Sequence, residues 1–274
     1  MPMVNDKVQE VKLTPTNDFI FKRIFGKEGN ERITKKLLSS IIEDEIADLT
    51  LAKEQTTDVD VVDDKIGILD VEVKLSNGTK LDLEMQVTSQ KDIEKRLMFY
   101  WSKLYSSNIK SGEEYYNLKR VVVIMFTTFN LEKLKEIQKC HTKWEIRERE
   151  YGNIVLTRDF EIDIIEMKKL EKSIKNKDKN SKINRELASW IQFLTKPDEL
   201  EEDVMEDIEE IKLAKEELEK IRQDEHDRRV AELREKYIRD QKGIEAYGFD
   251  KGVEVRKRRR RKNWRSAWRS TRTC

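Results

Sequence analysis

Residues 66–87, reading IGILDVEVKLSNGTKLDLEMQV, constrain this chain more than any other stretch. Apolar side chains hold the odd positions: Leu69, Val71, Val73 and Leu75, then Leu81, Leu83, Met85 and Val87. Between them lie Asp70, Glu72 and Lys74, then Lys80, Asp82, Glu84 and Gln86. A period of two sustained over this length predicts a hairpin with one buried face. Its other face is rich in carboxylates.

The turn decides whether those carboxylates meet. Asn77-Gly78 is the usual signal for a two-residue reversal, which would pair Ser76 with Thr79 and set Asp70 and Glu84 on opposite faces. It would also split the two apolar rows. Burial of one face fixes register strongly, because a one-residue slip flips every side chain. A three-residue loop, Ser76-Asn77-Gly78 with Gly78 left-handed, keeps the rows together. Leu75 then pairs with Thr79, and Asp70 faces Glu84.

At 274 residues the chain has room for one full-sized domain and a smaller appendage. Charged residues make up 41% and hydrophobic ones 37%, so a core is expected over only part of the length. The stretch Arg256–Arg272 holds ten Lys or Arg and no acid, which against a formal net charge of +1 leaves the rest at −9. Two cysteines, Cys140 and Cys274, make neither a disulfide framework nor a Cys-based zinc site. With His141 and His226 the only histidines, His-rich metal sites and Ser-His-Asp catalysis are disfavoured. Neither GxxxxGK[ST] nor GxGxxG occurs, which argues against a nucleotide-binding loop. Met1–Glu10 lacks an apolar signal region, and Val121–Phe126 is too short to span a bilayer. These features predict a soluble cytoplasmic protein without membrane partners.

Along the chain, Thr16 or Asn17 is placed to cap a helix carrying Phe19, Ile20, Ile24 and Phe25, ended by Gly26. A second helix is predicted over 31–46 and an extended piece over 59–64. After the hairpin, 92–109 reads as a helix with Ile93, Leu97, Trp101 and Leu104 on one stripe and Arg96, Tyr100 and Lys103 on an adjacent face. Residues 120–126 suit a strand buried on both sides. Strands are also predicted at 143–148 and 160–166. Lys168–Ser181 reads as a solvated linker, 183–194 as an amphipathic helix, and 198–239 as a long charged helix whose sparse apolar residues need a partner. Gly243-Ile-Glu-Ala and Gly252-Val-Glu-Val resemble degenerate units of a short repeat, and the basic tail follows.

Two facing carboxylates suit a hard divalent cation that keeps water for phosphate oxygens to displace. Asp70 and Glu84 would be its ligands, with the Met85 carbonyl as a third. An ordinary solvated face, its acids paired with Lys74 and Lys80, fits the same spacing. Glu72 and Asp82 are read as solvated pairs of that kind.

The pattern Asp70-x(13)-Glu84-x-Gln86 resembles the PD-(D/E)XK nuclease superfamily, specifically its Rpn-type recombination-promoting nuclease/transposase branch. Three stretches in order carry the resemblance: 16–26 (TNDFIFKRIFG), Gly67–Val71 with Leu83–Gln86, and 95–105 (KRLMFYWSKLY). It spans about Leu13 to Lys169. It implies an α/β restriction-endonuclease-like core, a mixed central sheet flanked by helices, and magnesium-dependent DNA cleavage, manganese being a substitute. Where the superfamily usually has a final Lys, this chain has Gln86, which orients water but brings no charge. The cation would then come from the following helix, from Lys103 or Arg96. Asp18 matches an early acidic position of the family and is equally suited to cap its helix. Tyr100, Trp101 and Tyr105 are candidates for base stacking, although Trp101 is expected in the core.

The resulting expectation is a nuclease domain over 13–169, a linker over 170–182, a charged helical C-terminal region over 183–255 that offers a homo-oligomer contact, and a disordered basic tail over 256–274. Asp70, Glu84, Gln86 and Lys103 are the catalytic candidates, with Asp18, Arg96 and Tyr100 as accessories. The tail, with Trp264 and Trp268 among its basic residues, would bind phosphates or is a frame-shifted remnant of the Gly-x-Glu repeat, the reading preferred here. The alternative function is a non-catalytic DNA-binding or assembly protein that keeps the fold, or a decayed mobile-element product.

Overall fold

The computed structural model describes residues 12–42, 45–52, 70–89, 92–170, 184–244 and 247. Six strands form one mixed sheet: β1 (Leu49–Leu51), β2 (Val71–Leu75), β3 (Lys80–Gln86), β4 (Val121–Thr127), β5 (His141–Trp144) and β6 (Phe160–Glu166), in the order β1-β2-β3-β4-β6-β5. The β1-β2-β3 meander is antiparallel, β3, β4 and β6 run parallel, and β5 closes the far edge antiparallel to β6. Parallel neighbours need a crossover, and the helix α3 (Ile93–Ser106) supplies it between β3 and β4.

The hairpin register is the one that alternation requires. Val71 faces Leu83, Glu72 faces Asp82 and Val73 faces Leu81. The Leu75 amide donates to the Thr79 carbonyl (2.8 Å), the Gly78 amide donates to the Leu75 carbonyl (2.9 Å), and Gly78 has φ +90°. The three-residue loop holds.

Each sheet face packs its own core. Val71, Val73, Leu75, Leu81, Leu83, Met85, Val122, Ile124 and Phe126 share one with α1 (Asp18–Phe25), α2 (Glu31–Ser39), α4 (Arg185–Thr195) and α6 (Glu209–Gln223). Val121, Val123, Met125, Phe160, Ile162 and Ile164 share the other with Ile93, Leu97 and Leu104 of α3. Strands β4 and β6, between these layers, are buried throughout.

Several details differ from the sequence reading. The span 198–239 is broken into α5 (Glu202–Asp207), α6 and helical residues from 225. Ile208 leaves helical geometry to enter the core, and Asp224 Oδ1 caps the next helix by accepting from the Asp227 amide (2.8 Å). The sparse apolar stripe of α6 finds its partner inside the chain: Ile211, Ala214, Leu218 and Ile221 are buried against the core shared with α1 and α2. Ion pairs border this contact, Lys27 to Glu217 at 2.8 Å, Arg23 to Asp227 at 3.0 Å and Arg32 to Glu209 and Glu210.

Lys169, read as solvated linker, is buried. Its ammonium donates to the Leu134 carbonyl (2.8 Å) and pairs with the buried Glu166. Trp101 is half-buried rather than central, stacked on Tyr105 at 4.7 Å, while Tyr100 takes the buried place. β5 begins two residues before the predicted 143. β1 was too short to leave a pattern. The predicted piece at 59–64, the predicted linker over 170–182 apart from its first residue, and the tail lie outside the described residues. Residues 233–244 belong to a second unit and are helical.

Candidate active site

The site is assembled where β2 begins and β3 ends. Each of its two carboxylates is oriented by the opposite strand: the Asp70 amide donates to Glu84 Oε1 (3.3 Å), and the Met85 amide donates to Asp70 Oδ2 (2.8 Å). These bonds exist only because the register sets Asp70 opposite Glu84. Gln86 Nε2 donates to the second oxygen of Glu84 (3.3 Å). Arg96 Nη1 donates to Gln86 Oε1 (3.4 Å) and Nη2 to the Tyr100 hydroxyl (2.6 Å), with the guanidinium over the Tyr100 ring. A chain of contacts therefore runs Asp70–Glu84–Gln86–Arg96–Tyr100. A small cleft here is lined by Glu84, Gln86, Arg96 and Tyr100 on its polar side and Ile93, Leu97 and Met125 on its apolar side.

The acidic face is not a solvated one. Glu84 is 2% exposed and Asp82 0%, and apart from the neighbouring Glu84 carboxyl neither Asp82 oxygen has a hydrogen-bond partner among the described residues. The cause is α3, which packs over the face that alternation alone would leave to water. Only Glu72 behaves as a surface pair, 3.8 Å from Lys80. Taking carboxylates out of water favours their neutral form, and like charges add to the effect. Burial pushes the Asp70 carboxyl up to about 7, with Asp18 adding to the rise and the Met85 amide, Lys22 and Arg96 opposing it. Burial raises Glu84 well above the usual carboxylate range, helped by Asp70 and Asp82. Asp82 is raised likewise, by burial first and then by Asp70 and Glu72. Burial and the nearby Glu84 raise the Tyr100 phenol.

Such a cluster either takes up protons or binds a cation. Its donors are all oxygens, which suits a hard divalent ion. Among the described residues no trio of His, Cys, Asp or Glu side chains converges on one point. Two carboxylates with water completing the shell is a magnesium pattern, and Asp70 and Glu84 fit it.

The remaining predicted residues fall in different places. Asn17 caps α1, accepting from the Phe19 (3.1 Å) and Ile20 (3.4 Å) amides; Asp18 Oδ1 also accepts from the Phe19 amide (2.9 Å), and its charge acts on Asp70. Arg96 and Tyr100 stand in the cleft. Lys103 is exposed on α3 and is not among the residues that line it. Two participants escaped the sequence reading. Asp82 was visible in the alternation but its burial was not, and Lys22 stands one turn after Asp18 within the 16–26 stretch.

The helix-meander-crossover-strand order, with carboxylates where β2 begins and β3 ends, is that of an α/β nuclease core. A family model described as PD-(D/E)XK nuclease family transposase matches residues 15–247. The chain belongs to that family. The match extends past Lys169 through the helices that complete the core. Comparisons with curated proteins and with solved structures return no match. Among the described residues no helix is long and apolar enough to cross a membrane.

Proposed function

We propose that this protein is a divalent-metal-dependent DNA endonuclease that serves recombination or transposition. The observation that carries the reading is the cross-strand pair of Asp70 and Glu84, the Glu84 carboxylate held by the Asp70 amide and the Asp70 carboxylate by the Met85 amide, in a buried acidic pocket. Magnesium, or manganese in its place, would lower the pKa of an attacking water and neutralise the leaving oxygen. Asp70 and Glu84 hold it. Gln86, bridging Glu84 and Arg96, orients water on the cleft side, and Arg96 sets positive charge beside the phosphoryl oxygens. Tyr100 keeps the guanidinium in place.

Residues 13–169 carry the chemistry in this reading, and the helices after 183 support them. Self-association through the C-terminal helices would draw on residues from Leu233 on, because α6 already buries its apolar stripe within the chain. The test is plasmid nicking by the purified protein with magnesium, with manganese and with chelator. Wild type nicks in either metal, and Asp70→Ala and Glu84→Ala lose at least 100-fold, the scale on which groups acting directly on the reacting centre count. A wild type that leaves plasmid intact in both metals, or an Asp70→Ala variant that nicks equally well, refutes the reading.

A further inference from the structure

The one side-chain cation assigned so far, Arg96, acts on Asp70 but reaches the site from α3 alone. Gln86 is neutral, and Arg96 approaches from α3 with its guanidinium shared between Gln86 Oε1 and the Tyr100 hydroxyl. The other helix at the site is α1, which packs against β3. Its last turn lies directly on the start of β2. A β-carbon at Gly26 would come 2.8 Å from the Lys22 carbonyl oxygen, 3.3 Å from Val71 Cγ2 and 3.7 Å from Lys22 Cγ. Val71 follows Asp70 in sequence, so the absent side chain at Gly26 lets the last turn of α1, which includes Lys22, lie against the strand end that carries the first carboxylate. Lys22 is half-buried and stands four residues after Asp18, on the same helix face. Acid followed by Lys at this spacing is the favourable order for mutual attraction. The charges of both residues act on Asp70, and that of Lys22 reaches Asp82 as well.

We propose that Lys22 is the catalytic cation of this site, contacting a phosphate oxygen of the scissile group from the α1 side, with Asp18 as its positioning residue. Lys suits the task, since its ammonium is a compact charge on a long flexible stem able to follow a phosphoryl group. The assignment rests on the metal-dependent nuclease reading. It explains how a site with Gln86 still has an ammonium at the phosphate: the charge arrives from the first helix and not from the strand.

The experiment compares full-length wild type, Lys22→Met, Lys22→Arg and Asp70→Asn in plasmid nicking and in calorimetric titration with magnesium. Lys22→Met lowers kcat by about 100- to 1,000-fold with KM little changed, as for removal of one preorganised electrostatic donor. Its magnesium affinity stays level or rises, because a positive charge beside the ion has gone, and its melting temperature is retained. Lys22→Arg keeps most of the lost rate. A Lys22→Met protein that nicks at the wild-type rate overturns the assignment. So does one that loses magnesium binding and melting temperature together, since that marks a structural role. If Asp70→Asn abolishes magnesium binding while Lys22→Met still nicks normally, only the Lys22 assignment falls. If wild type and Asp70→Asn titrate alike, the nuclease reading falls with it.

Discussion

The Asp70 carboxyl sets the pH behaviour of the metal-free protein. Its pKa rises from 3.8 to about 7 on folding, chiefly through burial. Below pH 3.8 both states hold the proton, and between there and about pH 7 only the native state does. The native state then binds more protons than the unfolded one, so stability falls as pH rises through that window. At 1.36 kcal/mol per unit, the loss from Asp70 alone reaches at most about 4 kcal/mol. Glu84 and Asp82, raised for the same reason, extend it upward. Melting in chelator should therefore drop from pH 4 to 8, and the gain on adding magnesium should grow over the same range. Asp82→Asn, which removes one buried acid without changing shape, flattens the fall. A melting temperature independent of pH in chelator would contradict the assigned burial.

At the scale of elements, the hairpin turn controls the site from its far end. Gly78 sits at φ +90°, where an L side chain costs about 1–2 kcal/mol. Gly78→Val should lose about that much in urea unfolding, whereas Gly78→Asn, tolerant of the left-handed region, should lose less. Because this loop places Asp70 opposite Glu84, Gly78→Val should also weaken magnesium binding although the turn lies outside the site. Retained affinity at reduced stability would show that the register survives a strained turn. The turn was legible in the sequence, since two apolar rows on one face admit only an odd loop. The burial of Asp82 was not, because alternation tells which residues share a face and is silent on what covers it.

At the scale of the molecule, helices α4 and α6 are part of the core. Trp190 is fully buried, edge-on to Phe25 at 5.8 Å and to Phe193 at 6.0 Å. Trp190→Ala should cost about 3–5 kcal/mol, a loss seen in urea unfolding, although Trp190 lies far from the acids in sequence. The helices it anchors cover α1, and α1 carries Asp18 and Lys22, so the same variant should lower nicking activity at temperatures where it stays folded. Unchanged stability in Trp190→Ala would separate these helices from the nuclease core.

Local pattern determined a good deal by itself. Alternation and the parity of one loop gave the hairpin register and set Asp70 against Glu84, and the continuous apolar run at 121–126 marked a central strand. A cap near 17 and a break at 26 placed the first helix. These are short-range properties, decided by side-chain period and backbone sterics within a few residues. Tertiary structure decided the rest. Packing of α3 turned an acidic surface into a buried pocket with raised pKa values, α6 spent its apolar stripe on α1 and α2, and Gly26 let α1 descend on β2 with Lys22. Each depends on which distant segment covers a face, and that is settled only when the apolar area of the whole chain is buried together.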